Sequence, residues 1–265
     1  MAANAWQSVL VAAALATSAC VIVEAGPRLR TWGDGPATMP ACELVAVSWN
    51  VHKRDGPRFD AELAHHAEGA ELVLLQESTE PGSSQGLPSY VAQVVTFRRR
   101  RDRRPTGVAT ASTAVPVDLE GSWAVDREPV ARTPKGTLVS TFALPGQTLL
   151  VVNVHGINFR SAAALGRHLQ PIGIRIAAHD GPVLLAGDLN TWSRARRRVV
   201  EDFAARHGLQ AVAFGDDGPR LDWALTRGLD TLAAAVQRSR VSDHDALRVR
   251  LRATACGPDP ATASP

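Results

Sequence analysis

Four apolar runs in this 265-residue chain stop on a side chain able to bind a cation, hold a charge or move a proton. Val45-Ala46-Val47-Ser48-Trp49 ends at Asn50, Leu72-Val73-Leu74-Leu75-Gln76 at Glu77, and Leu150-Val151-Val152-Asn153-Val154 at His155. The fourth, Val183-Leu184-Leu185-Ala186-Gly187, ends at Asp188, with Asn190 two residues on. A fifth case is inverted, since Asp243 and His244 precede the apolar run that starts at Ala246. A buried strand needs no polar terminus, whereas the loops beyond strand ends are where rigid scaffolds carry reactive groups. If these ends converge, carboxylate and amide oxygens supply hard donors suited to Mg²⁺ or Mn²⁺. A histidine beside a carboxylate can then hold charge in a transition state, and an aspartate can orient an attacking water.

Such convergence requires strands. Short β-type runs are expected near 44–49, 72–75, 91–97, 107–113, 137–144, 149–154, 183–186, 221–225 and 246–251. Phe59, Leu63 and Ala67 repeat at helical spacing, as do Leu165, Leu169, Ile172 and Ile176, and Val199, Val200 and Phe203 begin a third helix that Gly208 stops. Pro171 predicts a kink or a break in the second. The runs joined by Pro145-Gly146-Gln147 read as a hairpin, which makes the sheet mixed rather than all parallel. Strands alternating with helices over residues 42–252, without internal repeats, predict one α/β domain.

The flanks differ in composition. From Ser8 to Val23 the chain is almost wholly apolar, shorter than the roughly 20 residues of a spanning helix, which predicts for residues 1–25 a signal peptide or an N-terminal membrane anchor, and a protein exported or held at the membrane facing out of the cytoplasm. Residues 26–41, rich in Gly, Pro and Arg, read as a linker, and 253–265, rich in Ala, Pro, Thr and Ser, as a disordered tail. Three cysteines exclude a disulfide-rich scaffold and a four-cysteine zinc module. No Gly-rich nucleotide loop, Gly-x-Ser-x-Gly elbow or His-Glu-x-x-His helix occurs, so ATPase, serine hydrolase and zinc protease chemistries lack their residues.

The net charge of +3 is mild, so clustering decides where a field forms. Six arginines fall between Arg98 and Arg104, between two expected strands, and either form a solvated loop or face an anion. Arg194, Arg196 and Arg197 occupy the first turn of the third helix, where positive charge opposes the dipole, and are expected to bind substrate phosphate.

In order along the chain, Trp49-Asn50-Val51-His52-Lys53, Gln76-Glu77, Thr106-Gly107-Val108-Ala109-Thr110, Val152-Asn153-Val154-His155, Gly187-Asp188-Leu189-Asn190-Thr191-Trp192 and Ser242-Asp243-His244 resemble the blocks of the endonuclease/exonuclease/phosphatase superfamily, particularly its small bacterial exported or membrane-associated branch. The resemblance implies a four-layer α/β sandwich, two mixed β-sheets packed face to face with helices on the outside. It implies Mg²⁺ or Mn²⁺ held by Asn50, Glu77 and Asp243, and a catalytic set of His155, Asp188, Asn190, Asp222 and His244. Within that set His155 contacts the scissile phosphate, Asp188 positions water, Asn190 binds a phosphate oxygen, and His244, oriented by Asp222, stabilises the developing charge. It further implies a phosphate-ester substrate, in nucleic acid or a phospholipid headgroup, and a monomeric enzyme, with membrane association through the N-terminus. A catalytically inactive binding module on the same fold is the alternative reading. In this superfamily the first and last core strands lie side by side, which pairs Cys42 with Cys256 in a disulfide.

Overall fold

A computed structural model describes residues 21–80, 86–215 and 221–255. Two mixed sheets form the frame. The first runs in the order β1(Val21–Trp32), β4(Tyr90–Arg99), β5(Pro105–Ser112), β3(Leu72–Thr79), β2(Glu43–Asn50), β13(Ala246–Ala253), β12(Leu229–Gln237). The second runs β10(Gln210–Ala211), β11(Asp222–Arg227), β9(Val183–Asp188), β8(Gln147–Val154), β7(Gly136–Leu144), β6(Asp118–Trp123). One parallel pair sits in each, β2 with β3 and β8 with β9, and the other ladders are antiparallel.

Period-2 alternation sorts the side chains of these strands. Leu44, Ala46, Leu72, Leu74, Val151, Leu184 and Ala186 share one core cluster drawn from both sheets. Their alternates in the first sheet, Val47, Trp49, Val73 and Leu75, cluster with Phe59, Leu63 and Ala67 of α1(Pro57–Ala67). In the second sheet Leu150, Val152, Val183 and Leu185 cluster with Leu165, Leu169 and Ile172 of α2(Ala162–Ala177) and Val200 and Phe203 of α3(Arg194–Arg206). Extending the inner-facing alternation to the strand ends brings Ser48, Asn50, Gln76, Asn153 and Asp188 toward the space between the sheets. The first signs of that polar end are bonds across the layer: Gln76 Nε2 donates to Asn153 Oδ1 at 2.9 Å, and Asn153 Nδ2 to Ala109 O at 2.8 Å.

The folded unit begins before Cys42. The expected linker 26–41 is half strand, because β1 pairs with β4 from Val21↔Arg99 to Trp32↔Val91, and Met39 is buried beyond it. β1 is an edge strand with a bulge between Val23 and Arg28; its bonds come from the backbone, which needs no apolar alternation. For the same reason β6 and β12, also at edges, leave no sequence pattern. Pro171 lies inside one continuous helix rather than dividing it. β13 runs through Ala253, one residue past the expected boundary. Cys42 is disulfide-bonded; its expected partner, Cys256, and most of the expected signal peptide or anchor and tail lie outside the described residues.

Gly187, just before Asp188, has φ 149°, and a Cβ there would fall 1.9 Å from Val154 O. We expect Gly187→Ala to lower unfolding stability by about 2–4 kcal/mol, read from the denaturant midpoint, because the parallel β8/β9 pair must part to admit a methyl group.

Candidate active site

Asp188 is the hub. It ends β9, is buried, and its Oδ2 accepts hydrogen bonds from Asn50 Nδ2 at 3.0 Å and Asn190 Nδ2 at 3.2 Å, while Oδ1 accepts from Asn190 N at 2.8 Å. His155 Nε2 stands 3.4 Å from the same Oδ2, and His244 Nε2 3.9 Å. Burial works against this carboxylate, but His155, by hydrogen bond and charge, together with the charge of His244 and the Asn190 N–H, holds it below the ordinary aspartate value. It is therefore an anion at neutral pH, surrounded by donors.

Glu77 reaches the cluster by a backbone device. The β3/β5 ladder is irregular between Leu75 and Ser78, and Glu77 sits at φ 52°, a left-handed conformation that turns its side chain off the regular alternation. Its Oε1 lies 3.8 Å from His155 Nε2 and 3.3 Å from Lys135 Nζ, and Lys53 Nζ donates to Oε2. Desolvation opposes its charge, yet Lys135, His155 and Lys53 outweigh it and hold the carboxyl far below its usual range. Lys135, buried before β7, is also 3.2 Å from Glu128; burial disfavours its charge, but Glu77, Glu128 and Asp188 together keep it protonated. Lys53 enters the sequence analysis only as the end of the Trp49–Lys53 block, and Lys135 carries no signal there, since a lysine in a loop is ordinarily solvated and this one is 58 residues from Glu77.

His244 precedes β13, and its Nδ1–H donates to Asp222 Oδ2 at 2.8 Å. Burial opposes the imidazolium, but the hydrogen bond and charge of Asp222, with Asp188 and Asp243, push it up to about 9. Asp222, raised to about 6 by burial against the pull of that hydrogen bond, is opposite Asp188 in the β11/β9 ladder. Asp222 and His244 form an ion pair at neutral pH.

The residues expected from the sequence thus divide. Asn50, Glu77, His155, Asp188, Asn190, Asp222 and His244 come together. Asp243 stands at the rim, exposed, with its carboxylate 2.7 Å from His52 Nδ1. Arg196 is a correction: it is buried, with Nε donating to Asn190 O at 2.6 Å and the guanidinium donating also to Arg160 O and Ile157 O. Its fork joins the loops after His155 and Asn190 and is not available to a substrate phosphate. Arg194 is exposed, and the Arg197 guanidinium lies over the Trp223 ring. The dipole penalty expected of this basic helix start is offset in part by Ser193, whose side chain accepts from Arg196 N as the N-cap.

Residues 47–244 match the model of the Endonuclease/Exonuclease/phosphatase family. The chain belongs to this family. It is accordingly a hydrolase of the class that acts on phosphate esters. Over 217 residues it is 37% identical to a UPF0294 protein of Klebsiella pneumoniae (strain 342), covering 78% of this chain and 81% of the relative. Among solved structures it is similar to an endonuclease/exonuclease/phosphatase from Beutenbergia cavernae DSM 12333 (TM-score 0.59, 18% identity, 80% of this chain and 72% of the other). The human Nocturnin catalytic domain with bound sulfate is also similar (TM-score 0.60, 14% identity, 86% and 99%). So is ANGEL2, a 2',3'-cyclic phosphatase, in complex with adenosine-2',3'-vanadate (TM-score 0.59, 14% identity, 86% and 99%). At these identities the structural likeness speaks for the two-sheet fold.

Family members typically use a divalent metal, and the donor set here fits a hard cation. Glu77, Asp188 and the Asn50 amide oxygen are oxygen donors, and no thiolate is among them. The tightest group of acidic and imidazole donors is a different one, Asp188, Asp222 and His244, whose atoms lie within 4.8 Å of one another. Within it His244 Nδ1 and Asp222 Oδ2 are already hydrogen-bonded to one another at 2.8 Å. Glu77 and Asn50 are the oxygen-only alternative, and a cation bound there would have to displace Lys53 from the Glu77 carboxylate, since the two ammonium groups of Lys53 and Lys135 repel it.

Proposed function

We propose that this chain is a divalent-metal-dependent phosphodiesterase acting outside the cytoplasm, with Mg²⁺ or Mn²⁺ held by Glu77 and Asn50 and Asp243 contributing from the rim. The observation that carries this reading is the convergence on one buried carboxylate, Asp188, of two amides and two imidazoles, with a second, half-buried carboxylate, Glu77, beside them. A binding module would need none of that arrangement around a water-orienting anion. The cation, when bound, would polarise a phosphate oxygen and neutralise charge at phosphorus. Asp188 orients a water for attack. As the water oxygen bonds to phosphorus, the water proton passes to Asp188 and the P–O bond to the ester oxygen breaks; the leaving oxygen takes a proton from solvent, to which Asp188 returns the one it received. His155 faces a non-bridging oxygen and the His244 imidazolium the charge that builds on it, while Asn190, whose Nδ2 donates to Gly156 O and to Asp188 Oδ2, holds Asp188 in place instead of binding the phosphate expected of it. Exposed Arg194, in the first turn of the helix after Asn190, is the arginine of this cluster left to meet a longer anionic substrate, since Arg197 lies over the Trp223 ring. The substrate class is a diester of nucleic acid or of a phospholipid headgroup, and the enzyme acts as a monomer.

The test is hydrolysis of bis(p-nitrophenyl) phosphate. We expect chelation to lower the rate at least about tenfold, with recovery on adding Mg²⁺ or Mn²⁺; a rate indifferent to chelator overturns the proposal. Comparing plasmid nicking with headgroup release from vesicles then identifies the substrate.

The pH profile follows from the Asp222–His244 pair. Because the folded His244 is raised above its ordinary 6.5 to about 9, the contribution of its own protonation to stability is complete below 6.5 and is lost as pH rises through about 9. The imidazolium is also the form able to donate to the transition state. We expect the rate to fall above about pH 9, and Asp222→Asn to move that limb down by about one to two pH units, read from kcat against pH.

A further inference from the structure

One end of the molecule carries three features that the catalytic site does not use. The β1/β4 register starts at Val21↔Arg99, so the apolar run Ser8–Val23 joins the fold beside the arginine-rich β4–β5 turn. That turn is at the catalytic end of the first sheet, since β5 pairs Thr106 with Thr79 and Gly107 with Ser78, next to Glu77. Arg99 and Arg104 both bond Asp55, at 2.9 and 3.0 Å, anchoring the turn to the loop that follows Asn50. Arg100, Arg101 and Arg103 are left pointing away, exposed, and among the described residues Arg101 alone of the three has an ion-pair partner, Asp102 at 3.6 Å.

The third feature is apolar. Val125, Phe159 and Trp192 are 83%, 70% and 55% exposed, and all three lie on loops at the catalytic ends of β6, β8 and β9. Exposed aromatics and arginines together suit either a bilayer interface or stacked bases. Two observations favour the bilayer: an aliphatic side chain such as Val125 offers nothing to a base, and the apolar N-terminal run enters the fold at this same end. No helix among the described residues is long and apolar enough to cross a membrane, so contact here would be with a surface.

We propose that the catalytic end of the sandwich docks on an anionic phospholipid surface, with the Arg100–Arg103 tip among the headgroups and Val125, Phe159 and Trp192 at the acyl boundary. This goes beyond the hydrolase reading and does not depend on it, because docking is measured without turnover.

The test is flotation of the full-length chain with vesicles of phosphatidylcholine alone or with about one part in four phosphatidylglycerol. Apolar partitioning is common to both vesicles, so the anionic-to-neutral ratio isolates the electrostatic face. Each basic residue at such a surface contributes roughly fivefold. We expect a wild-type ratio of at least about tenfold that collapses in high salt, a ratio near one for Arg100→Glu/Arg101→Glu, and an unchanged ratio for Arg206→Glu at the opposite end of α3. Thermal melting of each variant checks folding. A wild-type ratio of one, or a double variant that keeps the wild-type ratio, overturns the proposal. So does a double variant that loses duplex DNA retention while keeping its vesicle ratio, which would assign the surface to nucleic acid.

Discussion

Asp188→Asn should lower kcat by about three orders of magnitude while leaving the thermal midpoint within a few degrees of wild type. Asparagine is nearly isosteric, and with its amide oxygen at the Oδ2 position it still accepts from Asn50 Nδ2 and Asn190 Nδ2, whose bonds to the wild-type carboxylate are 3.0 and 3.2 Å; its Nδ2 then meets the Asn190 N–H that Oδ1 accepts at 2.8 Å, a lost hydrogen bond that costs about 1–2 kcal/mol. What disappears is the negative charge that His155 and His244 face and that orients the water. With substrate binding assigned to other groups, KM should change far less than kcat. A variant retaining more than about a tenth of the wild-type rate would remove Asp188 from the reaction and with it the mechanism proposed. Burial of an anion amid donors is a costly arrangement for a merely structural residue, which an amide could replace without loss of function.

Glu77→Gln should lower the rate by a comparable two to three orders of magnitude and, unlike Asp188→Asn, also destabilise the fold by about 3–5 kcal/mol. Lys135 is buried and depends on Glu77 and Glu128 for its counter-charge, so neutralising Glu77 leaves an ammonium under-compensated at the end of β7. The sign of the pH effect separates this from a packing change. A carboxyl depressed in the folded state contributes stability that is complete above its ordinary value of 4.5 and is lost as pH falls toward the folded-state value. Wild type should therefore lose stability below about pH 4.5 more steeply than Glu77→Gln, in urea titrations at several pH values. Parallel curves would mean that Glu77 is not the charge holding Lys53 and Lys135.

Much of the site was legible because its logic is local. An apolar strand whose alternation ends in Asn50, Asp188 or His155 records which face looks toward the opposing sheet, and that record needs only the period of two. The strand ends follow from it, the three helices from apolar residues at helical spacing, and the β7/β8 hairpin and the mixed pairing from the Pro145-Gly146-Gln147 turn. The resemblance of the ordered blocks added roles that no single run could supply, Asp222 as the partner of His244 above all.

Other features were decided by the tertiary structure. Glu77 faces the site because of a bulge and a left-handed residue, and a backbone irregularity leaves no mark on composition. Lys53 and Lys135 matter because the sheets bring them to Glu77, and a lysine's burial depends on distant neighbours. Arg196 seemed suited to phosphate by its helix position, yet it is consumed by the carbonyls of two loops that only packing brings around it. The edge strands β1, β6 and β12 pair through backbone groups, which every residue but proline supplies alike. Sequence fixes what each short segment can expose at its end; which charges then neutralise one another depends on contacts between segments far apart in the chain, where electrostatic energy follows distance in space.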